Sequence, residues 1–178
     1  MRVVAGTHRA RRLVAPRGRE TRPTSDRVRE ALFSILGPLD GERVLDLFAG
    51  SGALGIEALS RGAGSALFCD SARPAVAAIR ANLGALGLDA EVVCDDARRV
   101  LRNARARGSA YDLIFLDPPY RQAERWAADL SALVPCVLAP GGRVVSESDR
   151  RTPLQLELPL ADERRYGDTL IRIHTHEP

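Results

Sequence analysis

From residue 43 onward the apolar positions alternate between two patterns. Short, mostly apolar runs predict strands at 43–48, 65–69, 90–94, 112–116 and 143–147. Longer stretches with apolar residues every three or four positions predict helices at 53–61, 73–86, 97–106 and 122–134. Upstream, Val28, Leu32, Ile35 and Leu36 share one face of a helix over 25–36. Thr24 or Ser25 offers its N-cap, and Gly37-Pro38 ends it. Downstream, 154–160 and 169–175 alternate in steps of two about Gly167-Asp168, as strands of a closing hairpin do. At the start, 2–5 and 12–15 are β-prone runs that can pair as a hairpin around Gly6-Thr7. A loop holding Pro16, Gly18 and Pro23 follows.

Strands alternating with helices predict an α/β fold, a mostly parallel sheet covered on both faces. The last two strands are joined by a turn too short for a crossover, so one of them runs antiparallel. The 178 residues suit one main body over 25–178, long enough to bury a real core, with an arm over 1–24. No apolar run approaches the ~20 residues of a membrane span. No signal-type stretch follows the N-terminus, so a cytoplasmic protein is expected. Cys69, Cys94 and Cys136 fit no zinc spacing and read as buried free thiols. His174 and His176 lack a third ligand, so no metal is expected.

Charge adds a partner. The net +3 conceals nine arginines within residues 1–29, set against Glu20 and Asp26. The chain has no lysine, which is a bias of composition, but that bias does not crowd arginines into one arm. Arg2, Arg9, Arg11, Arg12, Arg22, Arg27 and Arg29 are therefore candidate contacts to a nucleic-acid backbone. For Arg27 the plain alternative is an i,i+3 pair with Glu30 on a solvated face.

Two motifs carry chemistry. Gly50-Ser51-Gly52-Ala53-Leu54-Gly55 follows a strand and opens a helix, as a nucleotide-binding turn does. Asp70, 20 residues past Gly50, can accept from ribose hydroxyls, with Ser71 beside it. The same turn serves dinucleotides. Asp46 favours S-adenosylmethionine instead, because an acid there repels a pyrophosphate and attracts an ammonium group. Phe48 can line an apolar pocket, with Ala49 next to it. Asp96, with Ala97, can meet an adenine amino group, although Asp95 or Asp96 can equally cap the next helix. The second motif is Asp117-Pro118-Pro119-Tyr120. Two prolines remove two backbone donors, leaving the Asp117 carboxylate and the Pro118 carbonyl as acceptors for an exocyclic NH₂. Tyr120 can stack on a base.

Thr21–Phe33, Asp46–Arg61 and Asp117–Tyr120 together resemble the RsmD family, bacterial enzymes that methylate N2 of a guanine in 16S rRNA. The resemblance runs from Arg2 to the Tyr166–Thr169 turn. It implies a class I, Rossmann-like methyltransferase fold of seven strands with the last antiparallel. It implies S-adenosylmethionine held at Asp46, residues 48–52, Asp70 and Asp96-Ala97. It puts the target amine at Asp117, Pro118 and Tyr120, and it implies an arginine-rich hairpin on RNA. Ala5 and Ala10 stand where glycines are common in the family's arm, and Ala72 where an aspartate often follows the ribose acid. The expectation is thus guanine-N2 methylation of 16S rRNA, free or in an assembling 30S subunit, by a monomer. A DNA adenine or cytosine amino-methyltransferase and a non-catalytic RNA-binding protein are the alternatives.

Overall fold

A computed structural model describes residues 1–16, 25–119 and 123–176. Seven strands form one sheet in the order β3-β2-β1-β4-β5-β7-β6. These are β1 (Arg43–Leu47), β2 (Ser65–Asp70), β3 (Glu91–Cys94), β4 (Tyr111–Leu116), β5 (Leu138–Asp149), β6 (Leu160–Tyr166) and β7 (Thr169–Thr175). The pairings β1 to β2, β2 to β3, β1 to β4 and β4 to β5 are parallel. Only β7 opposes its neighbours β5 and β6. The helices are α1 (Asp26–Leu36), α2 (Ala53–Ser60), α3 (Arg73–Leu86), α4 (Ala97–Ala106) and α5 (Ala123–Leu133).

Alternation along the strands sends side chains to two separate cores. Val44, Phe68, Phe115, Val145 and Ile171 face α1, α2 and α3. Leu45, Leu47, Ile114, Leu116 and Val144 face α4 and α5. Covered on both faces, β1 and β4 must be apolar nearly throughout. Asp46 is the one buried charged residue in these two strands, and it lies on the α1–α3 side.

Ser25 caps α1, its hydroxyl accepting the Val28 N–H. The helix buries Val28, Arg29, Leu32, Phe33 and Leu36. Ile35, expected on that face, is 39% exposed. Phe33 takes the inner position instead because its ring meets Phe115, centroids 5.8 Å apart. The expected strand at 154–160 is also corrected. Its leucines do pack inward, with Leu154 buried and Leu156 and Leu158 against the α4–α5 core. They do so from an irregular segment bracketed by Pro153 and Pro159, which cannot donate to a ladder. The strand that pairs with β7 is the next one, Leu160–Tyr166, whose polar sequence suits the exposed edge of a sheet. Pro140-Gly141-Gly142 is an irregularity inside β5, where Leu138 pairs with Tyr111 and Arg143 with Leu113.

The N-terminal arm closes on itself with less regularity than a hairpin. Arg2 and Arg12 form a single antiparallel bridge. The Val3 N–H reaches Arg11 O at 2.9 Å, and Ala10 N–H reaches Val3 O at 2.9 Å. Ala10 turns the chain at φ 67°, a left-handed conformation that glycine adopts freely. Val3 and Leu13 are buried in the α1–α3 core, so the arm shares the core of the body.

Candidate functional site

The carboxyl ends of β1 and β4 form the crevice where the strand order reverses, the usual ligand position in an open α/β sheet. β1 ends at Leu47, and Phe48 leaves it with φ 63°. The Gly50 N–H donates to Asp70 Oδ2 at 2.9 Å, tying the glycine turn to the end of β2. Gly52, at φ 78°, caps α2. Asp46 is 2% exposed and accepts the Gly55 N–H at 2.9 Å. Only glycine fits at 55. A Cβ there would lie 2.3 Å from the Phe68 ring and 3.1 Å from Asp46 Oδ2.

Burial pushes the Asp46 carboxyl up to about 7, opposed by the Gly55 N–H and reinforced by the charge of Asp70. A carboxyl stripped of water in this way gains most from a cation brought beside it. The donor set therefore fits the ammonium of an amino-acid-bearing cofactor and rejects a pyrophosphate. Asp70 is buried, with Oδ1 accepting the Ala72 N–H at 2.8 Å. Ser71 beside it is exposed, while Ala49, Gly50 and Ser51 are half-buried.

Asp96 caps α4, accepting the Arg98 N–H at 2.9 Å, and both its oxygens also take the Arg98 guanidinium. That guanidinium holds the Asp96 carboxyl below the usual carboxylate range. Asp95 receives the Asp96 N–H and pairs with Arg99. Ala97 is buried. Sequence patterning missed the group that joins these residues to the glycine turn. Trp126, from α5, lies edge-on to Phe48, centroids 4.9 Å apart. Arg98 lies 4.6 Å from the centre of the Trp126 ring, and it also reaches Asp129. The contacts Phe48–Trp126–Arg98–Asp96 thus link the end of β1 to the start of α4.

Asp46 pairs with Phe115 across β1 and β4, and Asp117 lies two residues past Phe115. The two acids therefore stand on one face of adjacent strands, Asp46 inside the sheet and Asp117 at its rim. Asp117 is half-buried, Pro118 buried and Pro119 exposed. Tyr120 lies outside the described residues, as does Arg22.

Arg2, Arg9, Arg11, Arg12 and Arg27 are exposed. Arg2 also pairs with Asp26 at 3.1 Å, and Arg11 donates to Ala85 O at 2.8 Å. Arg29 departs from expectation. It is 0% exposed, and its Nη2 donates to Arg2 O and to Asp26 Oδ1. It faces inward because its position on α1 is that of a core residue, so it holds the arm and does not offer charge to a partner. Cysteine burial is corrected as well. Cys69 is buried, its thiol pushed up to about 12 chiefly by burial, whereas Cys94 and Cys136 are exposed near strand and helix ends. His174 is buried with Nδ1 3.1 Å from Leu158 O. Among the described residues no three metal-ligating side chains come together. No helix among them is long and apolar enough to cross a membrane.

The family described as Conserved hypothetical protein 95 matches residues 1–175. This is the RsmD family. The chain belongs to it. "Putative rRNA methyltransferase YlbH" of Bacillus subtilis is 40% identical over 98% of this chain and 98% of its own length. Ribosomal RNA small subunit methyltransferase D of Escherichia coli is 40% identical over 68% of this chain and 61% of its own length. Among solved structures, "Putative methyltransferase yhhF" from Escherichia coli superposes with TM-score 0.83 at 34% identity, covering 99% and 98% of the two chains. The Thermus thermophilus 16S rRNA N2 G1207 methyltransferase RsmC, solved with AdoMet and guanosine, superposes with TM-score 0.71. It is 22% identical over 92% of this chain and 45% of RsmC, a likeness of fold. This RsmD-family chain therefore has the class I methyltransferase fold.

Proposed function

We propose that this RsmD-family protein transfers a methyl group from S-adenosylmethionine to the exocyclic N2 of a guanine in 16S rRNA. One juxtaposition carries the reading. A glycine turn with a buried acid and an acid-Pro-Pro strand end open into the same crevice, on the same face of neighbouring strands. S-adenosylmethionine would supply an electrophilic methyl group there. Asp46 would hold the ammonium group, Asp70 the ribose hydroxyls, and Asp96-Ala97 the adenine end.

The acceptor amine is a poor nucleophile, because its lone pair is delocalised into the ring. Positioning must therefore do most of the work, and alignment can lower a barrier by ~7–11 kcal/mol. The Asp117 carboxylate and the Pro118 carbonyl would accept the two amine hydrogens and turn the lone pair toward the methyl carbon. Asp117 would also stabilise positive charge as it develops on nitrogen. The base must leave its stack to reach this crevice. The exposed arginines of the arm would hold the flanking phosphates.

Methyl-labelled cofactor offered with naked 16S rRNA, 30S particles and DNA tests the reading. Label recovered as N2-methylguanosine from RNA is expected. Label in adenine, cytosine or DNA overturns it. Asp117→Ala should abolish transfer while cofactor binding survives.

A further inference from the structure

Side chains of α2 and α3 join Arg29 in fastening the arm to the body, and one of them also fastens the cofactor turn. Glu57 of α2 is wholly buried and accepts the Val4 and Ala5 N–H groups at 2.7 and 2.9 Å. Ser60 of α2 donates to Ala5 O and accepts the His8 N–H. Asn82 of α3 does more. Its Oδ1 accepts the Val14 N–H at 2.8 Å, and its Nδ2 donates to Val14 O at 3.0 Å and to Ser51 O at 2.9 Å. It is 2% exposed, so these bonds are made away from water, where leaving them unmade is costly. The Ser51 hydroxyl also approaches Met1 Sδ at 3.7 Å. Met1 directly, and Val14 through Asn82, therefore reach the residue between Gly50 and Gly52.

We propose that Asn82 is a positioning residue that couples RNA engagement by the arm to cofactor binding at the Gly50–Gly52 turn. The inference rests on the proposed reading of the arm and the turn. A ligand that fixes Val14 fixes the Asn82 amide, and the amide fixes Ser51. A cofactor that orders Ser51 acts back through the same three bonds. The coupling is positive, because each ligand orders a segment that the other needs ordered, and linkage makes it reciprocal.

The test is a ratio of affinities. S-adenosylhomocysteine is titrated calorimetrically into the full-length protein, alone and saturated with a 16S rRNA transcript. In the wild type the RNA should tighten binding by roughly fivefold or more, the lower end of usual coupling. In Asn82→Ala that factor should fall to within about twofold of one, while each ligand still binds. A purely structural role would lower the melting temperature and both affinities but leave the factor unchanged. That outcome overturns the proposal. If Asn82→Ala does not fold, Asn82→Asp keeps the acceptor for Val14 N–H and loses both donors, and the same collapse is expected. A wild-type factor of one overturns the coupling without any variant. Failure of the wild type to bind RNA at all overturns the reading of the arm instead.

Discussion

The Gly55 amide is the hydrogen-bond donor that meets the buried Asp46 carboxyl, at 2.9 Å and nine residues along the chain. One donor offsets only part of the loss of water, which is why the carboxyl stays near 7. A carboxylate in the unfolded chain titrates near 3.8. Between those values the folded protein binds more protons than the unfolded one, so this residue makes the fold less stable as pH rises through the window. Asp46→Asn keeps an acceptor for Gly55 and removes the charge. It should melt higher than wild type at pH 8, with each kcal/mol worth about 2–4 °C in a chain this size. The difference should vanish near pH 4. Thermal melts at the two pH values check this.

The same residue makes cofactor binding sensitive to pH. Binding an ammonium group requires the ionised carboxyl, so below about 7 a proton must first leave. Affinity for S-adenosylhomocysteine should fall by up to about tenfold per pH unit below that point, and level off above it. Calorimetry at pH 6 in two buffers of different ionisation enthalpy should report net proton release. Asp46→Asn should bind poorly and show no such release.

Trp126 is the sole tryptophan of the sequence, and it stands edge-on to Phe48. Its emission should therefore change when the crevice fills with S-adenosylhomocysteine, giving a direct titration. Trp126→Ala removes the support of Phe48 and the platform of Arg98. The expected cost is about 1–3 kcal/mol of stability for a half-buried ring, with cofactor affinity lowered several-fold. Chemical denaturation and calorimetry measure the two effects.

Gly6 sets the approach of the arm to α2. At φ 81°, a Cβ added there would lie 1.7 Å from Ser60 O. The backbone of α2 cannot yield that far, so Gly6→Ala should lift the arm from Glu57 and Ser60. Affinity for a 16S rRNA transcript should fall at least tenfold. Proteolysis should cut the arm of the variant faster than that of the wild type.

The site motifs were legible in the sequence because each is a contiguous turn following a strand, where chemistry is written in neighbouring residues. Asp46, Gly50, Gly52, Gly55 and Asp70 all lie within such local signals. Asn82 and Trp126 were not, because their roles depend on segments 68 and 78 residues away that only the folded sheet brings near. One trace was available. Asn82 is a polar residue between Ile79 and Leu83 on the buried side of α3, and an amide there needs partners. Ile35 is exposed and Phe33 buried for a similar reason. Helical spacing allows either to face inward, and the choice was made by Phe115, which no local pattern reveals. β6 escaped notice for the opposite reason. An edge strand pairs through its backbone, and its side chains are free to be polar.

The fastening of the arm also orders events during synthesis. Residues 4–14 are made before the groups that hold them, since Glu57, Ser60, Asn82 and Ala85 follow 52 to 74 residues later. These residues have nowhere to dock until α2 and α3 have been translated and packed. Arg9, Arg11 and Arg12 thus emerge unanchored, and they become a shaped surface only once the cofactor turn between β1 and α2 exists.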